Sequence, residues 1–376
     1  MTDVVIVGGG PIGLWTAIQL KKRLPAAEVA VYERHLAYQR SHVLRLDHWS
    51  MMLYAATSRS APEKRFVREV TGKSLTGMRT QFAKTLYIRT NDLEAALQQY
   101  ARDLGVLVHY LRIDSVTHAQ ELHPECRLFI AADGAHSRLR EGLFGADALD
   151  SSVLQHVLEL KCEERVAVAG GRAPRLAPAK LWKLNRSLDH TASEYVGRVR
   201  DGVAPVTLRL FLDAPEYAQL PAMSFKTPHV LGAPGLPAAV ERDIQAFLAA
   251  RRQQGTLAVE GSARLSKLEL RMYTARCYAS MRGDAAWFLA GDAAIGVPYF
   301  RALNSGMMLS SRLAQIIARN IDRPDGGRTR MVTRYNNRYR PAHVATEFAI
   351  ARGKNWLVDG VHSAREWFAQ PEVPAP

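Results

Sequence analysis

The sequence is poor in cysteine and contains no long apolar run. Its three cysteines, Cys126, Cys162 and Cys277, include no CxxC pair. An odd number of widely separated cysteines argues against a disulfide scaffold and a zinc cluster, and it fits a reducing compartment. No apolar run reaches the roughly 18 residues of a membrane span, and the N-terminus lacks the basic start of a signal peptide. We therefore expect a soluble, cytoplasmic protein without a membrane span.

Two kinds of catalytic signature are also missing. No HExxH or GxSxG motif occurs, so neither zinc-dependent nor acyl-enzyme chemistry is expected. Apolar residues make up 47% of the chain and charged residues 23%, which is the composition of a globular protein and excludes a disordered or fibrous one. The length of 376 residues is enough for two packed domains, at about 150 residues per domain.

Acidic residues are few relative to basic ones. Fifty Lys and Arg against 36 Asp and Glu give a net charge of +14 (50 − 36), which suits anionic partners such as phosphates, acidic substrates or nucleic acid. Residues 321–340 are rich in arginine, a pattern most typical of a solvated helix face. Because no recognition motif or interleaved aromatic residue accompanies these arginines, we expect no nucleic-acid partner.

Residues 4–33 have the pattern of a dinucleotide-binding βαβ unit. The buried strand Val4–Val7 leads into Gly8-x-Gly10-x-x-Gly13, an apolar helical stripe follows, and a second strand ends at Glu33. The first glycine permits a tight turn, the second lets the main chain approach a pyrophosphate, and the third lets helix pack on strand. Free N–H groups at the helix start bind the phosphates, and Glu33 is placed to accept both ribose hydroxyls. We predict a dinucleotide site here, with these members: Gly8, Gly10, Pro11, Ile12, Gly13, Glu33 and Arg34.

The pattern of apolar residues changes twice along the chain. Residues 1–150 mix helices with buried strands, and Asn91 with Glu94 has the spacing of a capping box at the start of a helix. Residues 151–285 alternate with period two, for example at Leu208, Leu210 and Leu212, which predicts a mainly antiparallel sheet. Residues 286–376 begin with a short buried strand and continue as helices. The predicted fold is α/β, a Rossmann-type domain interleaved with an antiparallel sheet domain and followed by C-terminal helices.

Several motifs in this order resemble the class A flavoprotein monooxygenases, the para-hydroxybenzoate hydroxylase superfamily. Asp133-Gly134-x-x-Ser137-x-Leu139-Arg140 is similar to the family's DG motif, and Gly291-Asp292-Ala293-Ala294 with Pro298 and Asn304 is similar to its GD motif. The helix led by Arg89 resembles the one beside the flavin, and the stretch containing Arg40 is similar to the flavin domains of actin-oxidising monooxygenases. The WxWxIP signature of flavin halogenases is absent. Trp182 has no second tryptophan beside it, so the sequence does not fit a flavin halogenase. The resemblance implies FAD as the bound dinucleotide, with residues 1–150 and 286–376 forming its domain and residues 151–285 the substrate domain.

The resemblance also implies roles for individual residues. It places Asp133 and Gly134 near the flavin and the passing nicotinamide. It implies that Asp292 binds the ribityl chain of FAD. The other residues that it assigns to the cofactor site are Arg40, Arg89, Gly291, Asn304 and Ser305. From the residues alone, Asp133-Gly134 is an ordinary turn and Asp292 a helix N-cap. Both follow buried strands, however, and cofactors bind at the carboxyl ends of parallel strands.

The segment after Asp292 departs from the family pattern. Ile295 stands where the family has histidine, and the loop from Pro298 to Asn304 is short and lacks glycine. Pro298 and Tyr299 are the candidates for catalytic positions; Tyr299 and Phe300 either shape the pocket over the flavin ring or belong to the core. Ser305 is expected to cap a helix whose positive end stabilises reduced flavin.

The resulting prediction is a FAD-dependent monooxygenase. As the resemblance implies, NADPH or NADH reduces the flavin, O2 adds at C4a, and the hydroperoxide oxygenates a small substrate, with anionic and aromatic compounds as candidates. Because GxGxxG occurs once, no separate nicotinamide domain is expected. Two alternatives stay open: a FAD-dependent oxidase or dehydrogenase, and a flavin-bound protein that binds an anionic macromolecule through its basic face.

Overall fold

The computed structural model of the chain describes residues 2–36, 43–56, 60–71, 85–166, 174–197, 199, 201–298, 301–323 and 326–353. The chain divides into two compact units. Unit 1 consists of Met1–Ser152 and Met272–Ala351, and the described residues of unit 2 lie mainly in Val153–Arg271. Residues 272–285, expected in the middle domain, belong to unit 1 because residues 279–282 pair with residues 285–288 in its sheet.

A six-stranded sheet forms the centre of unit 1, in the order β13-β14-β6-β1-β2-β5. Its strands are β1 (Val4–Val7), β2 (Val29–Glu33), β5 (Leu107–Tyr110), β6 (Leu128–Ala131), β13 (Ala279–Arg282) and β14 (Ala285–Leu289). All neighbours from β14 to β5 are parallel, and β13 joins β14 antiparallel. Every residue of β1, β6 and β14 is buried, as expected for parallel strands covered on both faces.

Helices cover the sheet of unit 1, and the helix of residues 11–23 is hydrogen-bonded to the helix of residues 301–318. These helices are α1 (Pro11–Arg23), α2 (His48–Met52), α3 (Ala61–Thr71), α4 (Thr90–Asp103), α5 (Val116–Leu122), α6 (Arg138–Phe144), α10 (Arg301–Ala318) and α11 (Gly327–Arg334). The indole N–H of Trp15 in α1 donates to the Met307 carbonyl at 3.1 Å and to Ser311 Oγ at 2.9 Å in α10. After α11 the chain forms a π-helical turn, Tyr335–Tyr339, and residues 340–353 continue as helix α12.

The remaining strands of unit 1 are short. Strands β3 (Val43–Asp47) and β4 (Thr85–Arg89) form an antiparallel ribbon. Strand β15 (Ile295–Gly296) pairs with Tyr273 and Thr274 at the end of β12 (Arg264–Ala275).

Unit 2 is built on a sheet with the order β10-β12-β7-β9-β8. Its other strands are β7 (Leu149–Val166), β8 (Thr191–Val196), β9 (Val203–Leu212), β10 (His229–Val230) and β11 (Thr256–Ala258), and its helices are α7 (Pro178–Asn185), α8 (Ala214–Gln219) and α9 (Ala238–Arg252). The strands pair antiparallel at β8–β9, β7–β9, β7–β11 and β10–β12.

The core of unit 2 lies on one face of its sheet. Leu208 and Leu210 of β9 pack with Leu158 of β7 and with Val240 and Phe247 of α9. The predicted α/β architecture, a parallel Rossmann-like sheet with a separate antiparallel sheet and helices, is therefore confirmed. Among the described residues, no helix has the length and apolarity needed to span a bilayer.

Candidate functional site

Three loops leave the carboxyl ends of adjacent parallel strands in unit 1. Residues 8–13 follow β1, residues 132–137 follow β6, and residues 290–294 follow β14, and these strands are neighbours in the order β14-β6-β1. The carboxyl ends of parallel strands share one edge of the sheet, which is where open α/β folds bind their ligands. The topology therefore brings the GxGxxG, DG and GD segments to one edge.

The glycines of the first loop are required by close contacts. Gly8 has a φ of +109°, and a Cβ there would lie 2.2 Å from the Ala132 carbonyl oxygen at the end of β6. A Cβ on Gly13 would lie 1.8 Å from the Gly8 carbonyl oxygen. A Cβ on Gly10 would meet nothing within 4 Å. Gly8 and Gly13 thus permit the turn itself, whereas the space at Gly10 fits the approach of a ligand.

The start of α1 offers donors to an anion. Gly10 occupies the N-cap with extended backbone, Pro11 follows at the first helical position, and the first turn contains no acid. The N–H groups of Ile12 and Gly13 precede the first intrahelical bond, from Leu14 N–H to the Gly10 carbonyl at 3.0 Å. Such N–H groups and the helix dipole bind phosphate.

Glu33 is held at the end of β2 by two main-chain donors. Its Oε2 accepts the Gly9 N–H at 2.8 Å, and its Oε1 accepts the His35 N–H at 2.9 Å. These two bonds fix the orientation of the Glu33 carboxylate. The neighbouring Arg34 is exposed. The Glu33 carboxylate therefore lies beside the glycine turn as an acceptor suited to ribose hydroxyls.

The DG loop is built around the carboxylate of Asp133. Its Oδ1 accepts the Ser137 hydroxyl at 2.5 Å and its Oδ2 accepts the Leu139 N–H at 3.3 Å, at the start of α6. Burial raises the pKa of Asp133 despite these bonds. The following Gly134 has a φ of +91° and open space at its Cβ position. This loop combines a turn, as the residues alone predict, with a strand-end position suited to a cofactor.

The GD loop packs directly on the glycine turn. Gly291 has a φ of +59°, and a Cβ there would lie 2.9 Å from the Ile12 side chain. Residues Gly291–Ala293 form a 3-10 turn whose N-cap is Ala290. Asp292 lies inside that turn, so its interpretation as the N-cap is wrong. The Asp292 carbonyl accepts the Tyr273 hydroxyl at 2.9 Å.

The DG and GD loops are joined by Arg140. This side chain is 3% exposed, and its guanidinium donates to the Ala293 carbonyl at 3.2 Å and to the Ala135 carbonyl at 3.0 Å. Burial, followed by the charge of Asp292, raises the pKa of Tyr273, and the charge of Arg140 opposes that rise. Neither Arg140 nor Tyr273 is predicted as a site residue from the sequence, although Arg140 ends the DG motif.

The start of α10 differs from the prediction for Ser305. The helix begins at Arg301, so Ser305 lies in its second turn and is not a cap. Its hydroxyl instead bonds the Nε2 of His343 in α12 at 2.8 Å. Burial lowers the pKa of His343 to about 4. The positive end of the helix therefore lies at Arg301, whose guanidinium binds Glu347 at 2.6 and 3.0 Å.

Other predicted site residues are distributed as follows. Asn304 is buried in α10, where its Oδ1 accepts the Asp47 N–H at 2.8 Å. Pro298 is half-buried after β15, and Arg89 is the last residue of β4. Arg40 and Tyr299 lie outside the described residues. The cofactor roles of all these residues stay predictions.

Glu94 is a functional candidate that the sequence pattern does not identify. Helix α4 begins at Thr90, and Asn91 Oδ1 has no hydrogen-bond partner in the described structure, so the predicted capping box is wrong. Glu94 lies on the buried face of this helix with Leu97 and Ala101, at i, i+3 and i+7 spacing, and is 3% exposed. Burial, and then the charge of Glu33, raises the pKa of Glu94 to about 8. In the sequence, the one sign of this role is that Glu94 adjoins the apolar stripe that contains Leu93 and Leu97.

Together these residues fit FAD. The open space at Gly10 and the N–H groups at the start of α1 suit the pyrophosphate. The anchored carboxylate of Glu33 suits the ribose hydroxyls. In the described ranges, no group of three or more His, Cys, Asp or Glu side chains is arranged to hold a metal ion.

Comparisons with known proteins agree with this geometry. The sequence profile of the FAD dependent oxidoreductase family matches residues 3–124, from β1 to the segment after α5. No curated protein matches the chain. The profile supports a FAD-binding oxidoreductase.

Several solved structures have a similar fold, among them the following three. CabE, an aromatic hydroxylase from angucycline biosynthesis, is 16% identical, with 98% of this chain and 72% of that chain covered and a TM-score of 0.55. BexE, studied for oxidation during BE-7585A biosynthesis, is 17% identical, with 98% of this chain and 72% of that chain covered and a TM-score of 0.56. The oxygenase of 2-methyl-3-hydroxypyridine-5-carboxylic acid is 14% identical, with 100% of this chain and 94% of that chain covered and a TM-score of 0.51. The chain shares the fold of these proteins, and this fold agrees with the resemblance seen in its motifs.

Proposed function

We propose that this protein is a FAD-dependent monooxygenase that uses NADPH or NADH and O2 to oxygenate a small organic substrate. The observation that carries the proposal is the convergence of the GxGxxG, DG and GD loops on one edge of the sheet in unit 1. Ile12 packs against Gly291, and Arg140 bonds Ala293, so the three loops form one continuous structure. A single dinucleotide-binding unit with these two further loops suits a resident FAD.

Each loop has its own part in binding FAD under this proposal. Gly10 and the first turn of α1 bind the pyrophosphate, and Glu33 accepts the adenosine ribose hydroxyls. Asp292 accepts from the ribityl chain, and Gly134 gives close access to the ring. When bound, FAD supplies the hydride acceptance and the O2 activation that no side chain provides.

The chain itself orients the cofactor and excludes water. The Tyr273 hydroxyl fixes the Asp292 main chain, and Ile295, Gly296 and Val297 are buried directly after the GD loop. A dry environment strengthens the electrostatic interactions around the ring and limits side reactions with water. Pro298 and Tyr299 are the proposed residues that shape the pocket beyond this segment.

One face of the sheet in unit 2 is suited to the substrate. Opposite to the leucine face, register places Glu159 beside Arg209 and Lys161 beside Thr207. The Glu159 carboxylate accepts from Arg209 Nε at 2.7 Å and pairs with Lys161 Nζ at 3.2 Å. The side chains of Arg209 and Lys161 place two cations on this face, which suits an anionic substrate. The Arg209 guanidinium also lies 5.1 Å from the ring centroid of Tyr195, within the range of a cation–π interaction.

Reduction of the bound flavin tests the proposal. Purified protein is expected to contain non-covalent FAD, identified by mass spectrometry after heat release. Under anaerobic stopped-flow mixing, NADPH or NADH should bleach the flavin, and a substrate should accelerate the bleaching. Bleaching by substrate alone and by neither nicotinamide would replace the monooxygenase with an oxidase or dehydrogenase. Salt-sensitive retention of nucleic acid without NAD(P)H oxidation would favour the binding protein instead.

A further inference from the structure

Glu94 and Glu33 lie at the same edge of the sheet in unit 1. Helix α4 leads into β5, and β5 pairs parallel with β2, with Glu33 opposite Tyr110. A helix that precedes a parallel strand runs back from the carboxyl edge, so α4 begins at that edge. Glu94 is the fifth residue of α4 (Thr90–Asp103). It therefore lies near the adenosine end of the dinucleotide site.

The two carboxyl groups have different surroundings. Glu33 is half-buried and accepts two main-chain N–H groups. Glu94 is 3% exposed, its Oε1 receives only a long bond from Gln98 Nε2 at 3.4 Å, and its Oε2 has no hydrogen-bond partner among the described residues. A buried carboxylate without donors is unfavourable, and the group takes up a proton instead.

Two described cations near α4 are matched to other acids. Lys22 of α1 binds Glu63 of α3 at 2.6 Å and lies 5.9 Å from the Tyr100 ring. Arg65 of α3 binds Asp103, at the far end of α4, at 3.1 Å. Glu33 at the end of β2 is the charged group whose field acts on Glu94. Among the described residues, Lys22 and Arg65 thus pair with acids other than Glu94, and Glu33 is the charged group that acts on it.

We propose, on the basis of the dinucleotide site described above, that Glu94 is a positioning residue that must be a neutral carboxylic acid for FAD to bind. Neutral Glu94 leaves Glu33 as the single negative charge beside the ribose. When FAD covers Glu33 and adds its two phosphate charges, an ionised Glu94 becomes less favourable still. Binding of FAD and retention of the Glu94 proton are then linked, and each favours the other.

The sign of this linkage gives the expected pH dependence. In the free protein the pKa of Glu94 is about 8, and bound FAD raises it further. Below that pH both states keep the proton and the FAD affinity is constant. Above it, FAD binding requires proton uptake, so the affinity falls with pH, by at most about tenfold per pH unit.

The test measures FAD affinity of the apo protein by fluorescence quenching between pH 6.5 and 9.5. The wild type is expected to bind about 3- to 10-fold more weakly at pH 9.5 than at pH 7.5. Glu94→Gln, neutral at every pH, should match the wild type at pH 7.5 and lose the dependence. Asp103→Asn, at the other end of α4, should keep the wild-type profile. If FAD affinity falls equally with pH in the wild type and in Glu94→Gln, the role of Glu94 is refuted but the FAD site is not. If FAD does not bind at any pH, the site itself is refuted.

A second measurement uses only the wild type. In weakly buffered solution near pH 8.5, FAD binding should take up a fraction of a proton, because bound FAD raises the pKa of Glu94. This readout does not depend on whether a Glu94 variant folds. No uptake, with FAD bound, refutes the proposal.

Discussion

The guanidinium of Arg140 donates a hydrogen bond to the carbonyl of Ala293 at 3.2 Å across 153 residues of sequence. This contact ties the loop after β6 to the loop after β14, although neither motif specifies the other locally. A second bond from the same guanidinium, to Ala135, holds its own loop. Arg140 therefore acts as a structural clamp between two proposed FAD-binding segments.

Replacement of Arg140 by methionine tests this clamp. Arg140→Met keeps the length of the side chain but leaves the Ala293 and Ala135 carbonyls without their donor, and we expect a loss of about 2–3 kcal/mol in the free energy of unfolding. FAD affinity should fall as well, because the GD loop loses its support. Arg138→Met is the matched control, since Arg138 is on the same helix but 61% exposed in its pair with Asp114, and such pairs contribute about 0–1 kcal/mol. Denaturant unfolding with and without FAD measures both effects; equal losses in the two variants would count against the clamp.

The glycine turn separates folding from ligand binding. Gly10→Val is expected to give folded, colourless protein, because a Cβ at this position would meet no protein atom within 4 Å and the added bulk would obstruct the pyrophosphate. Gly8→Ala should instead destabilise the fold, because its Cβ would lie 2.2 Å from the Ala132 carbonyl at a positive φ. Circular dichroism melts and flavin absorbance distinguish the two variants. A yellow Gly10→Val protein would exclude the pyrophosphate from this turn.

Asp292 is expected to contribute affinity rather than stability. Asp292→Ala removes the carboxylate proposed to accept from the ribityl chain, and a hydrogen bond to a charged group contributes about 1.5–3 kcal/mol. FAD affinity should drop roughly 10- to 150-fold, since about 1.4 kcal/mol is tenfold. The main-chain carbonyl that receives the Tyr273 hydroxyl is kept, so Tyr273→Phe serves as the variant that perturbs the loop without touching the carboxylate. Unchanged FAD affinity with a lowered melting temperature of the apo protein would make Asp292 structural.

His190 predicts a pH dependence for the stability of unit 2. Its Nδ1 bonds Asp243 at 2.8 Å and its Nε2 bonds Glu216 at 3.0 Å. Burial alone would lower the pKa of His190, but the bonds to Asp243 and Glu216 outweigh it and raise the pKa. The stabilisation is fully present below the unfolded pKa of about 6.5 and is lost as pH rises through the raised folded pKa.

The His190→Gln variant isolates this contribution. At pH 6 it should be less stable than the wild type by about 1.5–3 kcal/mol, the range for hydrogen bonds to charged groups. The difference should shrink at pH 9, where the wild-type imidazole has lost its proton. His229→Gln, on a half-buried histidine whose Nε2 bonds the Ala233 carbonyl, controls for the substitution, and urea unfolding at several pH values measures each profile. A constant difference between pH 6 and pH 9 would contradict a charged His190.

Helix boundaries were the least predictable feature of the candidate site. Ser305 and Glu94 both have sequence contexts typical of helix starts, yet α10 begins four residues before Ser305 and α4 four residues before Glu94. Tertiary packing overrode the local capping preference in both helices. In the structure, Ser305 bonds His343, and Glu94 is buried in the field of Glu33.

The βαβ unit with Gly8, Gly10, Gly13 and Glu33 was determined by the sequence alone, as was the alternating pattern of β9. Short-range sterics explain this, because a positive φ at a turn and the period of buried residues are properties of neighbouring positions. Only the tertiary structure decided that Arg140 bonds Ala293, that Tyr273 bonds Asp292, and that Glu94 shares the field of Glu33. Those relationships depend on distances and dielectric environment between residues from separate elements, which no local pattern records.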